Sequence, residues 1–150
     1  MTSTAATETL SVAPERPALG RWGNVGVVAL RVLTALFLLD TLLQAALAGL
    51  FVTGDVALLT WHAANAQLLG GLSVLACAAA VLAWRAARTS GWAALAAVAL
   101  MALVNVQHGL GESRQLGGHI PLGMTIFGLA AALTFWAFTS PRTSREEAGR

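Results

Sequence analysis

Four uninterrupted apolar runs, over residues 26–52, 62–84, 92–110 and 119–139, govern what this chain can become. A helix needs about 20 apolar residues to cross the hydrocarbon of a bilayer, and each run meets that length. With 150 residues, 57% of them apolar and 11% charged, the chain exceeds the apolar share of an ordinary soluble domain. The expected fold class is all-α: an integral membrane four-helix bundle in up-down-up-down order. Its helices are expected over 25–52, 57–85, 91–111 and 119–139, within one transmembrane domain of 23–140. The tail of 1–22 is expected to be disordered, with Pro14 and Pro17 opposing a regular helix, and 141–150 forms a second tail. The first apolar run is too long for the core of a cleaved signal peptide.

Charge then orients the bundle. All nine basic residues are arginines, and lysine and tyrosine are absent, which suits a GC-rich bacterial genome. Arg16, Arg21 and Arg31 flank the first helix, Arg85 and Arg88 lie between the second and third, and Arg142, Arg145 and Arg150 follow the fourth. The other two connections hold Arg114 alone. Positive residues stay on the cytoplasmic side, so both termini are expected inside the bacterial inner (plasma) membrane of a multi-pass protein. Trp22, Trp84, Trp92 and Trp136 fall at inner span ends and Trp61 at an outer one, as interfacial aromatics do. The high isoelectric point therefore reports topology, and no nucleic-acid partner is implied because no basic stretch interleaves with aromatics. The bilayer is the expected partner, and exposed small-residue faces permit a homodimer or a membrane redox partner without requiring either.

Polar residues inside a span are costly and mark candidate sites. Asp40 and Gln44 lie a turn apart on one face of the first helix, with Asp40 near the bilayer middle and expected to stay neutral or to find a hydrogen bond. Arg31 is expected to snorkel to the headgroups. The Gln44-to-Gly49 stretch offers small residues for close helix contact. Asn65, Gln67, Asn105 and Gln107 complete the intramembrane polar set. Cys77, the single cysteine, excludes an intramolecular disulfide and acts mid-span as a small hydrophobe.

The topology brings all three histidines to the outer end. His62 opens the second helix, His108 closes the third and His119 opens the fourth, with Pro121 expected in its first turn. The second and fourth helices are parallel and diagonal, so His62 and His119 sit at one depth and point at each other. Two such imidazoles suit the axial positions of a b-type haem serving electron transfer or redox sensing. Ala63, Ala66, Gly70 and Gly123 would give the macrocycle room, and Arg114 would pair with a propionate. A second arrangement uses His62, His108 and His119 together as a copper or zinc site, with Glu112 and Asp55 nearby. A third treats the polar residues as a transport or proton path, and a fourth needs no cofactor, the protein being structural or accessory and the polar groups interhelical ties. No phosphate loop, nucleophile elbow or paired-carboxylate motif is present, so no catalytic residue is assigned.

Gln44-Ala45-Ala46-Leu47-Ala48-Gly49-Leu50-Phe51, His62 with Gly70, and His119-Ile120-Pro121 resemble an uncharacterised bacterial family of small four-helix membrane proteins. The resemblance covers residues 25–138. More distantly, the layout is similar to one four-helix half of haem A synthase, whose second and fourth helices supply histidines to haem near the outer surface. By that resemblance His62 and His119 are the haem ligands. The chain departs from it at Leu58, where that enzyme carries a catalytic glutamate one turn before the histidine, and in lacking the outer-loop cysteine pair. Synthase activity is therefore not implied.

Overall fold

The computed structural model describes residues 20–140, so the tails at 1–19 and 141–150, with Arg16, Arg142, Arg145 and Arg150, lie outside the described residues. Four helices make up the fold: α1 (Arg21–Val52), α2 (Leu58–Ala86), α3 (Gly91–Glu112) and α4 (Leu116–Thr139). Each is long and apolar enough to cross a bilayer, which makes this a multi-pass membrane protein.

Two helix starts differ from the sequence expectation, for physical reasons. Helix α1 begins at Arg21, four residues before 25. Apolarity marks only the part inside hydrocarbon, while the hydrogen-bond ladder runs on into the interface, where the Arg21 guanidinium lies 5.7 Å from the Trp22 ring centre. Helix α4 begins at Leu116, three residues before His119, which puts Pro121 inside the helix and beyond its first turn. Proline there lacks the N–H that would bond the fourth residue back, so Gly117 loses its α-helical donor. Elsewhere the ends agree within a residue.

The two connections at the histidine end share one turn. At the end of α1, Gly54 N–H reaches Phe51 O at 3.2 Å and Asp55 N–H reaches Leu50 O at 3.3 Å, with Gly54 at φ 126°. At the end of α3, Arg114 N–H reaches Gly111 O at 3.0 Å and Gln115 N–H reaches Leu110 O at 2.9 Å, with Arg114 at φ 56°. Both are Schellman caps, which satisfy terminal carbonyls through a left-handed residue. Short caps of this kind return the chain antiparallel, which gives the up-down-up-down order.

Packing is cyclic. Each helix meets its two sequence neighbours and α4 closes on α1, while the α1–α3 and α2–α4 diagonals make no backbone approach. The core carries Leu69, Val104 and Ile126 toward the histidine end and an alanine-rich seam, including Ala79, Ala80, Ala83, Ala94 and Ala97, toward the terminal end. In lipid the hydrophobic drive between helices is weak, so close van der Waals packing and interhelical hydrogen bonds hold the bundle.

The tightest approach is not at the 44–49 stretch, as the small residues there suggested. Gly49 has nothing within 4 Å of where a Cβ would stand, and Ala45 and Ala46 are exposed. Instead Gly23 and Gly26 lie on α2: a Cβ at Gly26 would stand 2.8 Å from Ala83 N, and one at Gly23 would stand 3.0 Å from Ala86 O. Those partners are backbone atoms, which cannot swing aside. Arg31 lies at the same end of the bundle. Its Nε donates to Ala137 O at 2.8 Å, satisfying a carbonyl in the last turn of α4, and its guanidinium sits 5.7 Å from the Phe138 ring centre. Thr134 Oγ1 donates to Thr34 O at 3.0 Å on the same interface. Replacing Gly26 with valine is expected to destabilise the bundle by about 1–3 kcal/mol through overpacking, read as unfolding in detergent, whereas Gly49→Val is expected to leave it within about 0.5 kcal/mol.

Candidate functional site

The histidine end owes its geometry to the two hairpins, α1–α2 and α3–α4. His62 is the fifth residue of α2 and His119 the fourth of α4, so both stand just inside descending helices on opposite corners of the ring. Their rings meet across the bundle, with centroids 6.3 Å apart and planes at 65°. Both side chains are half-buried.

Each ring is anchored in the same way. His62 Nδ1 lies 3.2 Å from Gln44 O, and His119 Nδ1 lies 3.0 Å from Gln107 O. A carbonyl oxygen only accepts, so each Nδ1 carries the proton and donates, which leaves Nε2 as the nitrogen with a lone pair. A ligating histidine is commonly oriented by such a bond from its other nitrogen. The acceptor in both cases is the backbone of a glutamine on the preceding helix, 18 residues earlier for His62 and 12 for His119.

The surroundings of the two rings differ. Gln44 Nε2 lies 3.3 Å from His62 Nε2 and donates to His62 O at 3.1 Å, while Gln44 Oε1 accepts from Asn65 Nδ2 at 2.9 Å. A polar string therefore runs from Asn65 through Gln44 to His62. Asp40 is only 8% exposed and its Oδ2 has no partner. On the other hairpin the Gln107 amide oxygen is likewise buried and unpartnered.

Glycines make the seats for this polar layer. A Cβ at Gly111 would stand 3.1 Å from His119 Cε1, one at Gly70 3.2 Å from His108 Cε1, and one at Gly123 3.0 Å from Gln107 Nε2. Gly70 and Gly123, expected to leave room for a macrocycle, thus accommodate side chains of α3. Ala66 offers its carbonyl to His108 Nε2 at 2.7 Å, and Ala63 is exposed.

His108 consequently does not join the pair. Its Nε2–H donates to α2, fixing the opposite tautomer from that of His62 and His119. The three-histidine copper or zinc arrangement is not assembled, and among the described residues no three His, Cys, Asp or Glu side chains come together to hold a metal ion. Glu112 and Asp55 are exposed, as are Gln67 and Asn105. Asn105 Nδ2 donates back to Met101 O on its own helix at 2.8 Å. Arg114 is exposed in the α3–α4 turn, and its side chain has no hydrogen bond or ion pair to another described residue. Its left-handed backbone does not by itself mark a site, because Arg88 at the other end adopts φ 53°.

The sequence reading missed the polar string, the carbonyl anchors and the role of Gly111. The recurrence of glutamine before histidine in both hairpins was the available signal. Comparison with family models, curated proteins and solved structures yielded no match, so the functional reading rests on this geometry alone.

An unpaired buried amide oxygen costs stability, on the order of 1–3 kcal/mol. Replacing Gln107 with methionine keeps the length of the side chain and removes that oxygen. The variant is expected to unfold at an equal or higher temperature than the wild type, measured in detergent. A fall equivalent to about 1 kcal/mol or more would mean that the oxygen has a partner.

Proposed function

We propose that the bundle binds a b-type haem at its histidine end, with His62 and His119 as the residues that hold it, for electron transfer or redox sensing in a bacterial inner membrane. One observation carries the reading: two imidazoles from diagonal helices face each other with centroids 6.3 Å apart, each with Nδ1 tied to a carbonyl. A histidine–metal bond is about 2 Å long, so one ion flanked by two imidazole nitrogens separates the ring centres by roughly 6 Å. The observed spacing supports this reading. Bundle cofactors are held by inward side chains of facing helices. When bound, the haem supplies one-electron chemistry.

The chain's own groups do the rest. The carbonyls of Gln44 and Gln107 keep the Nδ1 protons in place and direct the rings, and Gly111 leaves space for the His119 ring. For His62 Nε2 to act as a ligand, the Gln44 amide has to release it. Arg114, the one cation at this end among the described residues, is available to a propionate. The arginine distribution supports cytoplasmic termini and an outward histidine end.

A cofactor-free, accessory role is favoured by a different observation. His62, His108 and His119 tie α2 to α1, α3 to α2 and α4 to α3, which is a sufficient structural duty. The absorption spectrum of the full-length protein, purified in detergent after expression with haem available, separates the two. A Soret band is expected, and it is expected to vanish when His62 and His119 are both replaced by alanine. No band in the wild type, or one that survives the double replacement, contradicts haem binding at this pair and favours the cofactor-free role.

A further inference from the structure

We infer that the protein pairs with a second copy of itself across the outer face of α2 and α3, through the amides of Asn105 and Gln67. The inference uses no cofactor and stands apart from the haem reading.

Both amides lie within the spans, and both are exposed. At 1.5 Å of rise per residue, Asn105 is about 10 Å inside the end of α3. Polar side chains at such depth ordinarily turn to a neighbouring helix, as Gln44 and Asn65 do here. Asn105 Nδ2 donates only to Met101 O on its own helix, at 2.8 Å, which leaves the second N–H and the carbonyl oxygen open. Gln67 makes no side-chain hydrogen bond to another described residue. Lipid chains offer neither donor nor acceptor, so each open group costs free energy until a partner covers it.

The two amides flank one groove. His108 reaches from α3 to Ala66 O on α2, and its ring lies against Gly70. Asn105 precedes His108 by three residues, and Gln67 precedes Gly70 by three, so each is turned about 60° from that seam. Because the helices run antiparallel, both turns go toward the same lipid-facing side. Positions 95, 98, 102, 105 and 109 recur at the alternating spacing of three and four that a helix–helix seam requires, and all five are exposed. Ala102 and Gly109 flank Asn105 along it, and nothing stands within 4 Å of a Cβ at Gly109 or at Gly71 on α2. Small residues of this kind let another helix approach closely.

A second copy is the occupant that this chemistry selects. Two copies inserted in one orientation are related by a two-fold axis along the membrane normal, so a residue near the axis meets itself at its own depth. An amide both donates and accepts, so two Asn105 side chains satisfy each other through reciprocal N–H···O bonds. The other exposed small-residue face, on α4 around Gly128, carries no amide, and Thr125 Oγ1 there already donates to Pro121 O at 3.0 Å.

Full-length protein, labelled at its amino terminus for energy transfer and reconstituted over a range of protein-to-lipid ratios, gives the self-association constant. The wild type is expected to dimerise. Asn105→Leu is expected to weaken association about tenfold and Gln67→Leu about threefold, the range of an interhelical side-chain hydrogen bond in a membrane. Thr125→Leu is expected to leave it unchanged, and the monomer of Asn105→Leu to unfold in dilute detergent at the wild-type temperature. A wild type that stays monomeric at every ratio overturns the proposal, as does an Asn105→Leu variant that associates as tightly as the wild type, or an equal loss in Thr125→Leu. A second measurement locates the face. With Cys77→Ala as background, Ala102→Cys is expected to give a disulfide-linked dimer on oxidation, and Thr125→Cys is not. The reverse pattern overturns the assignment.

Discussion

A polar group inside a bilayer has no water to turn to, and the structure depends on how this chain meets that demand. Its answer is to spend polar side chains on the seams between helices. Gln44 joins α1 to α2 through His62 and Asn65, His108 joins α3 to α2, and His119 joins α4 to α3. The fourth seam, between α4 and α1, is closed by Thr134 and Arg31. Every neighbouring pair in the ring therefore carries at least one interhelical hydrogen bond. The alanine-rich core and the Gly23–Gly26 contact supply the close packing that lipid-immersed helices need in place of a strong hydrophobic drive.

The two hairpins repeat a device. Each ends its ascending helix in a Schellman turn and ties a histidine near the start of its descending helix to a glutamine carbonyl one helix back. The repeat places two like-tautomer imidazoles across the bundle. The departure from symmetry is local and chemical: Asn65 bonds the Gln44 amide that lies beside His62, whereas the Gln107 amide oxygen is unpartnered.

Much of the fold was legible because bilayer thickness is a simple ruler, and four runs of sufficient length leave few architectures. The diagonal placement of His62 and His119 followed from short connections and charge bias. What the sequence did not disclose depends on side-chain direction. Small residues at 44–49 read as a contact face, yet Gly49 lies open while Gly26 meets backbone. Gly70 and Gly123 read as space for a ligand, yet His108 and Gln107 occupy it. His108 shares an end with the other two histidines, and only its bond to the Ala66 carbonyl reveals that it faces α2. Periodicity gives the face a residue is on, but not which neighbour claims its polar atoms.

The central claim is that two imidazoles meet across the bundle with Nδ1 tied to a carbonyl and Nε2 carrying the lone pair, while the third histidine is bonded to α2 through Nε2. Nitrogen-15 spectra of the apo protein, labelled at histidine and assigned by single replacement, read this directly, because protonated and lone-pair ring nitrogens resonate far apart. The account predicts the proton on Nδ1 at His62 and His119 and on Nε2 at His108. Finding the proton on Nε2 at either His62 or His119 would contradict it.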